Sequence, residues 1–267
     1  MHDPDSAKSL SRQVWQAGEV VSGLDQVAVE MPVAMVYNGI SHAVMMASPS
    51  DLEDFAVGFS VSEGILESGD QLLDCEETRT AKGIELSLTI TEGRFSRLKQ
   101  RRRSLVGATG CGICGIESLD QAIQQVNIVE SDIQLTHVAV QCALVALSER
   151  QELQKQTGAV HAAAWCSREG TLLLVREDVG RHNALDKLLG ARIRNYKAVG
   201  PGFALVTSRA SYEMVFKAAS ANIPLLASVS APTSLAIELA NQCGLTLVAF
   251  TRPGRHVIYA GANRLQD

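Results

Sequence analysis

The sequence lacks the segments that carry a protein into or across a membrane. No apolar run approaches the ~18 residues that indicate a transmembrane helix. The first 25 residues are polar and mixed, without the apolar core of a signal peptide. Six cysteines in a chain of 267 residues do not make the disulfide framework of a small secreted domain. We therefore expect a soluble cytoplasmic protein with reduced, functional thiols.

The chain also lacks a positive charge excess and the commonest nucleotide motifs. Its net charge of −5 and pI near 5.7 argue against attraction of the whole surface to nucleic acid or to a membrane. Neither a Walker A motif nor a GxGxxG fingerprint is present, so triphosphate hydrolysis and hydride transfer have no support. Internal repeats and low-complexity tracts are absent as well. The length suits one large α/β unit or two closely packed subdomains.

The second half of the chain alternates between short apolar runs and helical stretches. Such alternation predicts a sheet covered by helices on both faces, a three-layer α/β/α unit. The predicted strands lie at 171–175, 203–206, 225–229 and 245–250, and the predicted helices at 136–156, 179–194, 211–221 and 233–242. We place this unit at residues 136–267. It follows a smaller, irregular α+β portion at 27–135 and a flexible N-terminus at 1–26.

The first half carries three local patterns. Asn38-Gly39 between two apolar runs is typical of a hairpin turn. Ser50 and Glu53 have the spacing of a capping box at the start of a helix. Strict alternation of apolar and polar residues over 84–90 predicts a half-buried strand.

Cys111-Gly-Ile-Cys114 is the pattern that carries the most chemistry. It lies in the stretch GATGCGICG, whose four glycines predict an exposed, mobile loop. A zinc half-site, a thioredoxin-like dithiol and a carrier of sulfane sulfur are the three interpretations that remain open. Zinc would need a second CxxC or a histidine pair, unless two chains share a site. A thioredoxin-like pair opens a helix after a strand and lacks the surrounding glycines.

Four predicted strands end in polar or basic segments. In an open α/β sheet, ligands bind outside the carboxyl ends of the strands, where helix N-termini supply free N–H groups. Arginines there offer a bidentate fork to phosphate. The segments are 176–183, 207–211, 230–234 and 251–255. Each alone is typical of a capped helix, but together they predict a nucleotide-like ligand at this edge.

Two histidines and one basic stretch each allow both a structural and a functional interpretation. His161 is either a ligand or base, or a structural residue. His182 and Asp186 lie four apart on a predicted helix and suit a local pair. Six basic residues between Arg94 and Arg103 are typical of a solvated face. Their position beside the thiol loop favours a second interpretation, in which they lower the thiol pKa and help a partner to dock.

Taken together, these stretches resemble the formate dehydrogenase accessory sulfurtransferases, the FdhD/NarQ family. The resemblance covers most of the chain after about residue 27, and the combination of stretches is far more specific than the CxxC alone. The matching stretches are GFSVSEGIL (58–66), GCGICG (110–115), REDVGRHNALDKLLG (176–190), TSRASYEMVFKAA (207–219), IPLLASVSAPTSLAIELA (223–240) and LTLVAFTRPGR (245–255).

The resemblance implies a cytidine-deaminase-like α/β/α core and a homodimer. It implies a sulfur carrier that takes persulfide sulfur from a cysteine desulfurase and passes it to a molybdenum bis(molybdopterin guanine dinucleotide) cofactor, which formate dehydrogenase needs. A guanine nucleotide is the expected mimic of that client. Cys111 matches the persulfide-bearing cysteine and Cys114 its partner. The cofactor-binding stretch matches Phe250, Thr251, Arg252, Pro253, Gly254 and Arg255.

A deaminase-like fold does not bring deaminase chemistry here. His161-Ala-Ala lacks the glutamate of an HxE motif, and no PCxxC is present, so no metal is expected. The alternative function is a non-catalytic cofactor-binding chaperone, in which the CxxC senses redox state or binds metal. A nucleotide-modifying hydrolase is a third possibility, and it would need a bound metal.

Overall fold

The computed structural model describes residues 4–108 and 126–267. The strands are β1 (Ala7–Gln16), β2 (Glu19–Ala28), β3 (Met31–Tyr37), β4 (Ile40–Ala47), β5 (Leu72–Thr80), β6 (Gly83–Ile90), β7 (Leu135–Thr136), β8 (His161–Ser167), β9 (Leu172–Asp178), β10 (Gly202–Val206), β11 (Leu225–Ser228), β12 (Thr246–Arg252), β13 (Arg255–Ala260) and β14 (Leu265–Gln266). The α-helices are α1 (Leu52–Ser62), α2 (Glu92–Ala108), α3 (His137–Glu149), α4 (Glu152–Thr157), α5 (Arg181–Arg194), α6 (Tyr196–Val199), α7 (Tyr212–Ser220) and α8 (Ser234–Cys243). Within these residues, no helix is both long and apolar enough to cross a membrane.

A six-stranded sheet with the order β13-β12-β11-β10-β8-β9 forms the second half of the chain. Strands β10, β11 and β12 are parallel, and β8 and β13 run against their neighbours. Helices α5, α7 and α8 pack on one face, and α3 packs on the other. The predicted three-layer α/β/α arrangement is therefore confirmed, while its likeness to a cytidine deaminase stays a prediction.

Strands β8 and β13 are absent from the sequence-based prediction. Strand β8 contains three successive alanines, which have little β-propensity and give no β-branched signal. Its burial between two neighbouring strands and two helical layers makes it a strand. Strand β13 follows β12 after only Pro253-Gly254, with Gly254 at a φ of 73°. The sequence pattern does not distinguish so short a strand from the strand that lies two residues before it.

A second sheet, β4-β3-β6-β5, carries α1 and α2 and holds its own core. The alternation predicted over 84–90 is confirmed, because the apolar residues are buried and the polar ones are not. The Asn38-Gly39 turn is confirmed as well. Both residues have positive φ, 44° and 80°, as a tight hairpin turn requires.

Two predictions about helix boundaries are wrong. The N-cap of α1 is Asp51 in the left-handed conformation, with no side-chain cap, so Ser50 and Glu53 form no capping box. Glu53 instead pairs with Arg194 at 2.6 Å. The single helix predicted over 136–156 is divided into α3 and α4. The break occurs because a carboxylate from β9, Glu177, accepts the first free N–H groups of α4 at 2.9 Å.

The segment before Val27, where the sequence pattern gives no regular structure, forms the β1–β2 hairpin. Its turn, Ala17-Gly18, has positive φ at both residues. The strands are mixed in polarity because they are exposed on both faces, with Trp15 at 72% and Leu24 at 69% exposure. Such strands lack the alternation by which sequence reasoning finds them. The predicted flexibility of residues 1–26 stays a prediction.

Helices α1 and α5 join the two sheets through a backbone contact between glycines. A methyl group on Gly58 would lie 1.7 Å from the carbonyl oxygen of Asp186, and one on Gly190 would lie 1.8 Å from that of Asp54. Neither partner is a side chain that can move aside. Only glycine at both positions lets the helices approach this closely.

We expect Gly58→Ala to lower the free energy of unfolding by about 1–3 kcal/mol or more, because the methyl forces the two helices apart. Gly93→Ala in α2 is the matched control, since an added methyl there meets no atom within 4 Å. It should raise stability by up to ~1 kcal/mol through helix propensity. Urea denaturation measures both, and an unchanged midpoint for Gly58→Ala would disprove the contact.

Candidate functional site

The predicted polar segments meet at one edge of the six-stranded sheet. Strands β9 to β12 all end there, because β8 runs against both β9 and β10. Strands β8 and β13 begin at the same edge. The N-termini of α5, α7 and α8 follow directly, so three helix dipoles point their positive ends at it. We call this region the carboxyl edge.

Asp178, at the end of β9, belongs to the scaffold. Its carboxylate lies 2.7 Å from the ammonium group of Lys187, and both side chains are fully buried. It also accepts hydrogen bonds from the backbone N–H groups of Ser48 at 2.9 Å and Gly180 at 2.8 Å, and from the amide of Asn183 at 3.0 Å. Because every acceptor position is used, the carboxylate has nothing left for a ligand.

The preceding residues of β9 are also engaged within the fold. Arg176 pairs with Asp54 at 2.7 Å, and Glu177 caps α4. This part of the predicted ligand-binding segment 176–183 therefore serves structure. Arg181, the first residue of α5, is different because its Nε is buried without a partner among the described residues.

His182 and Asp186 do not form the predicted local pair. The imidazole of His182 lies 2.7 Å from the carboxylate of Glu213, and Asp186 lies 3.0 Å from Lys217 and 2.7 Å from the hydroxyl of Ser62. Burial lowers the pKa of His182 and raises that of Asp186. Burial would also lower the pKa of Lys217, but the nearby carboxylates raise it on balance. These groups tie α5 to α7 and α1.

Phe250 to Arg255 form the end of β12, a tight turn and the start of β13. Phe250 has a φ of 49°, a conformation that an aromatic residue rarely adopts, and the residue is 37% exposed. The guanidinium of Arg252 donates to the carbonyls of Val229 and Thr251 through Nη1. Its Nε and Nη2 have no partner in the described part of the chain. We call residues 250–255 the edge turn.

Three polar atoms at the carboxyl edge are buried with neither a hydrogen-bond partner nor an ion-pair partner among the described residues. They are Nε of Arg181, Oγ of Ser211 and Oγ1 of Thr251. Ser211 is the N-cap of α7, where its hydroxyl would ordinarily bond a free N–H, but it makes no such bond. Buried polar groups are nearly always paired, and unpaired ones often mark a site where something else binds.

A cavity of about 630 Å³ opens at the same edge, between α3 and the ends of β10 and β11. Its walls include Leu144, Leu147 and Val160, with His161 at the start of β8. Burial and the charge of Arg181 lower the pKa of His161, so its imidazole is neutral at neutral pH. Val229, whose carbonyl binds Arg252, also lines the cavity. The cavity and the edge turn are thus adjacent.

Cys111 and Cys114 lie outside the described residues. Of the other thiols, Cys166 is buried with its pKa raised to about 12, and burial raises the pKa of Cys75 to about 11. Burial also raises the pKa of Cys243, whereas Cys142 is exposed. A raised pKa leaves little thiolate at neutral pH. No group of three or more His, Cys, Asp or Glu side chains in the described residues is placed to hold a metal.

The basic stretch forms most of α2, and part of it is internal to the fold. Arg94 is 8% exposed and donates to the carbonyl of Ile65 at 2.6 Å. Arg97 pairs with Glu67 at 2.8 Å, and Lys99 lies 4.4 Å from the ring centroid of Phe95. The side chains of the remaining three arginines, 101–103, lie outside what the structure describes. Their proposed role in docking a partner stays a prediction.

Sequence reasoning missed three residues that are linked to the edge turn by hydrogen bonds or by the chain. Gln141 and His137 lie one turn apart on α3, and His256 follows the edge turn directly. Gln141 accepts a hydrogen bond from the backbone N–H of Gly254 at 2.8 Å. The four-residue spacing of His137 and Gln141 was the available signal, but it cannot show that they face a strand 115 residues away.

Comparison with known proteins extends over nearly the whole chain. A family model described as the FdhD/NarQ family matches residues 28–266. The sulfur carrier protein FdhD of Cupriavidus necator is 52% identical over 264 residues, covering 99% of this chain and 92% of that protein. The sulfur carrier protein FdhD of Variovorax paradoxus is 52% identical over 262 residues, with coverages of 98% and 94%. A crystal structure from Desulfotalea psychrophila, described as a formate dehydrogenase accessory protein, matches with a TM-score of 0.75 at 25% identity, covering 97% of this chain and 99% of that one.

We expect Asp178→Asn to lower the free energy of unfolding by about 3–5 kcal/mol, because it leaves the buried ammonium of Lys187 without its counter-ion. Asp51→Asn is the matched control. Asp51 is 37% exposed and lies 3.4 Å from Arg176, so its loss should cost about 0–1 kcal/mol. Denaturant unfolding of both variants checks the difference, and equal losses would refute the scaffold role of Asp178.

Proposed function

Because the chain belongs to the FdhD/NarQ family, we propose that it is a sulfur carrier that serves a formate dehydrogenase. The proposal has two parts. One is a thiol that receives and releases sulfur, and the other is a site that holds the recipient cofactor. The unpaired polar atoms of the carboxyl edge carry the second part, and the CxxC pattern carries the first.

Cys111 is the proposed carrier thiol. Its thiolate attacks the terminal sulfur of a persulfide on a cysteine desulfurase, so a new S–S bond forms on Cys111 and the donor cysteine leaves as a thiolate. Attack of the Cys114 thiolate on the sulfur of Cys111 then forms a disulfide between the two cysteines and expels hydrosulfide. The two thiols supply both electrons that turn sulfane sulfur into sulfide. The cycle closes when a cellular dithiol reduces the disulfide and is itself oxidised to a disulfide.

The recipient, molybdenum bis(molybdopterin guanine dinucleotide), is proposed to bind at the carboxyl edge as a client rather than as a resident cofactor. Its phosphates need cations and N–H donors, and the edge offers three helix N-termini and the free Nε and Nη2 of Arg252. The unpaired atoms of Arg181, Ser211 and Thr251 lie in the same region. Phosphate oxygens accept hydrogen bonds from all three kinds of group.

The guanine ring is proposed to enter the cavity beside the edge turn. Its apolar walls, Leu144 and Leu147, suit the faces of an uncharged ring. The neutral imidazole of His161 has one donor and one acceptor nitrogen for the edge of that ring. The volume of about 630 Å³ lies within the usual range for small-ligand sites.

Two further features belong to the proposal. Reduced thiols at Cys111 and Cys114 require a reducing compartment, which we take to be the cytoplasm. We also propose that the chain works as a homodimer. The large apolar side chains exposed on the β1–β2 hairpin, such as Trp15 and Leu24, are a candidate surface for that association.

Cys111→Ala should abolish activation of the formate dehydrogenase and leave the fold intact, because it removes the nucleophile. After incubation with a desulfurase and cysteine, mass spectrometry should find one added sulfur atom on the wild-type peptide that contains Cys111, and none on the variant. Cys142→Ala, which removes an exposed thiol on α3, is the control and should load sulfur normally. Full dehydrogenase activity with Cys111→Ala would refute the carrier role. Nucleotide binding without any sulfur loading would favour the non-catalytic chaperone.

Arg252→Ala combined with Arg255→Ala should weaken binding of GDP well over tenfold, because each charge-assisted contact is worth about 1.5–3 kcal/mol. Arg168→Ala combined with Lys197→Ala removes the same charge from the opposite edge of the sheet and should leave affinity unchanged. Titration calorimetry measures both. Equal affinity of the first variant and the wild type would remove the edge turn from the site.

A further inference from the structure

A chain of hydrogen bonds runs from the edge turn into the face of α3. The backbone N–H of Gly254 donates to Oε1 of Gln141 at 2.8 Å. Nε2 of Gln141 lies 3.0 Å from Nδ1 of His256, and Nε2 of His256 lies 2.8 Å from Nδ1 of His137. The two imidazoles are nearly parallel, with ring centroids 5.0 Å apart. Neither the motif nor the family match assigns these residues a role.

The first hydrogen bond determines where the protons of all the others lie. Oε1 of Gln141 must accept, because its partner is a backbone N–H. Nε2 of Gln141 therefore donates to Nδ1 of His256, which carries no proton. The proton of His256 is then on Nε2 and is donated to Nδ1 of His137. Both rings are neutral in this arrangement, and a second proton on either ring sets two N–H groups against each other.

The surroundings favour the neutral form of His256. Burial and the neighbouring His137 lower the pKa of His256 below its usual value. Arg255 precedes His256 on β13, and Arg252 is its partner in register on β12. Among the described residues, no carboxylate lies within ion-pair distance of either ring. The row of hydrogen bonds is therefore intact at neutral pH, and it is lost as the pH falls through the lowered pKa of His256.

We propose that Gln141, His256 and His137 are positioning residues that hold the edge turn in the conformation in which Arg252 and Arg255 meet phosphate, and that they do so only while both rings are neutral. The inference rests on the proposed cofactor site. Gly254 is the link, since it lies between the two arginines and its backbone N–H donates to Gln141. A metal site is a poorer explanation for the two imidazoles, because no third ligand joins them among the described residues.

The test is titration calorimetry of GDP with the full chain at about pH 8 and about pH 5.5, on either side of the usual histidine pKa. Gln141→Leu removes the hydrogen bond to Gly254. It should weaken GDP binding by about fivefold at the higher pH, as expected for one lost hydrogen bond. His256→Gln keeps one acceptor and one donor but cannot take up a proton. It should bind like the wild type at the higher pH and lose less affinity at the lower one. Comparing it with the wild type cancels the titration of GDP itself.

The outcomes separate this inference from the cofactor site. If the wild type binds GDP and the arginine double variant does not, but Gln141→Leu binds within twofold of the wild type, the positioning role is wrong and the site stands. If His256→Gln shows the same pH dependence as the wild type, the neutral-ring requirement is wrong. If the wild type does not bind GDP, the cofactor site fails and the inference fails with it. Ring ¹⁵N chemical shifts report the tautomer of His256 without nucleotide. A proton on Nδ1 of His256 would refute the proposed order of hydrogen bonds.

Discussion

Helices α1 and α5 touch through their backbones at Gly58 and Gly190, and buried ion pairs surround that contact. Each pair is costly to desolvate and stabilises only when its partner is in place. A small shift of α5 would part Lys187 from Asp178 and Lys217 from Asp186. The close approach and the charges therefore allow one position for α5, and with it one position for the N-terminus that reaches the carboxyl edge.

This constraint divides the polar residues of the carboxyl edge into two groups. The side chains of Arg176, Glu177 and Asp178 are fully engaged with other parts of the chain. The hydroxyl oxygens of Ser211 and Thr251 are buried too, but they have no hydrogen-bond partner in the part of the chain that the structure describes. The first group stabilises the carboxyl edge, and the second is available to bind a ligand. Sequence alone cannot separate these groups, because both have the same residue types in the same kind of segment.

Long apolar runs and the rules of parallel sheets were enough to predict the three-layer core and the meeting of four polar segments at one edge. Elements that depend on tertiary burial were not predictable. Strand β8 was missed because its three alanines have little β-propensity and form a strand only when buried between neighbouring strands. The pairing of Asp186 with Lys217 joins residues 31 apart, so the nearer His182 was the natural but wrong partner. The capping box failed because Asp51 adopts a left-handed conformation that spacing does not reveal.

Strand β9 ends in two carboxylates that stabilise different helices on opposite faces of the sheet. Successive side chains of a strand point to opposite faces, so Glu177 reaches α4 on one side and Asp178 reaches α5 on the other. Inserting or deleting one residue in β9 would exchange the two, leaving α4 uncapped and Lys187 facing the longer, misplaced side chain. The turn at the other end of the strand is constrained as well, because a methyl group on Gly170 would lie 2.1 Å from the carbonyl oxygen of Ala139. Among relatives of this protein, β9 should therefore keep its length.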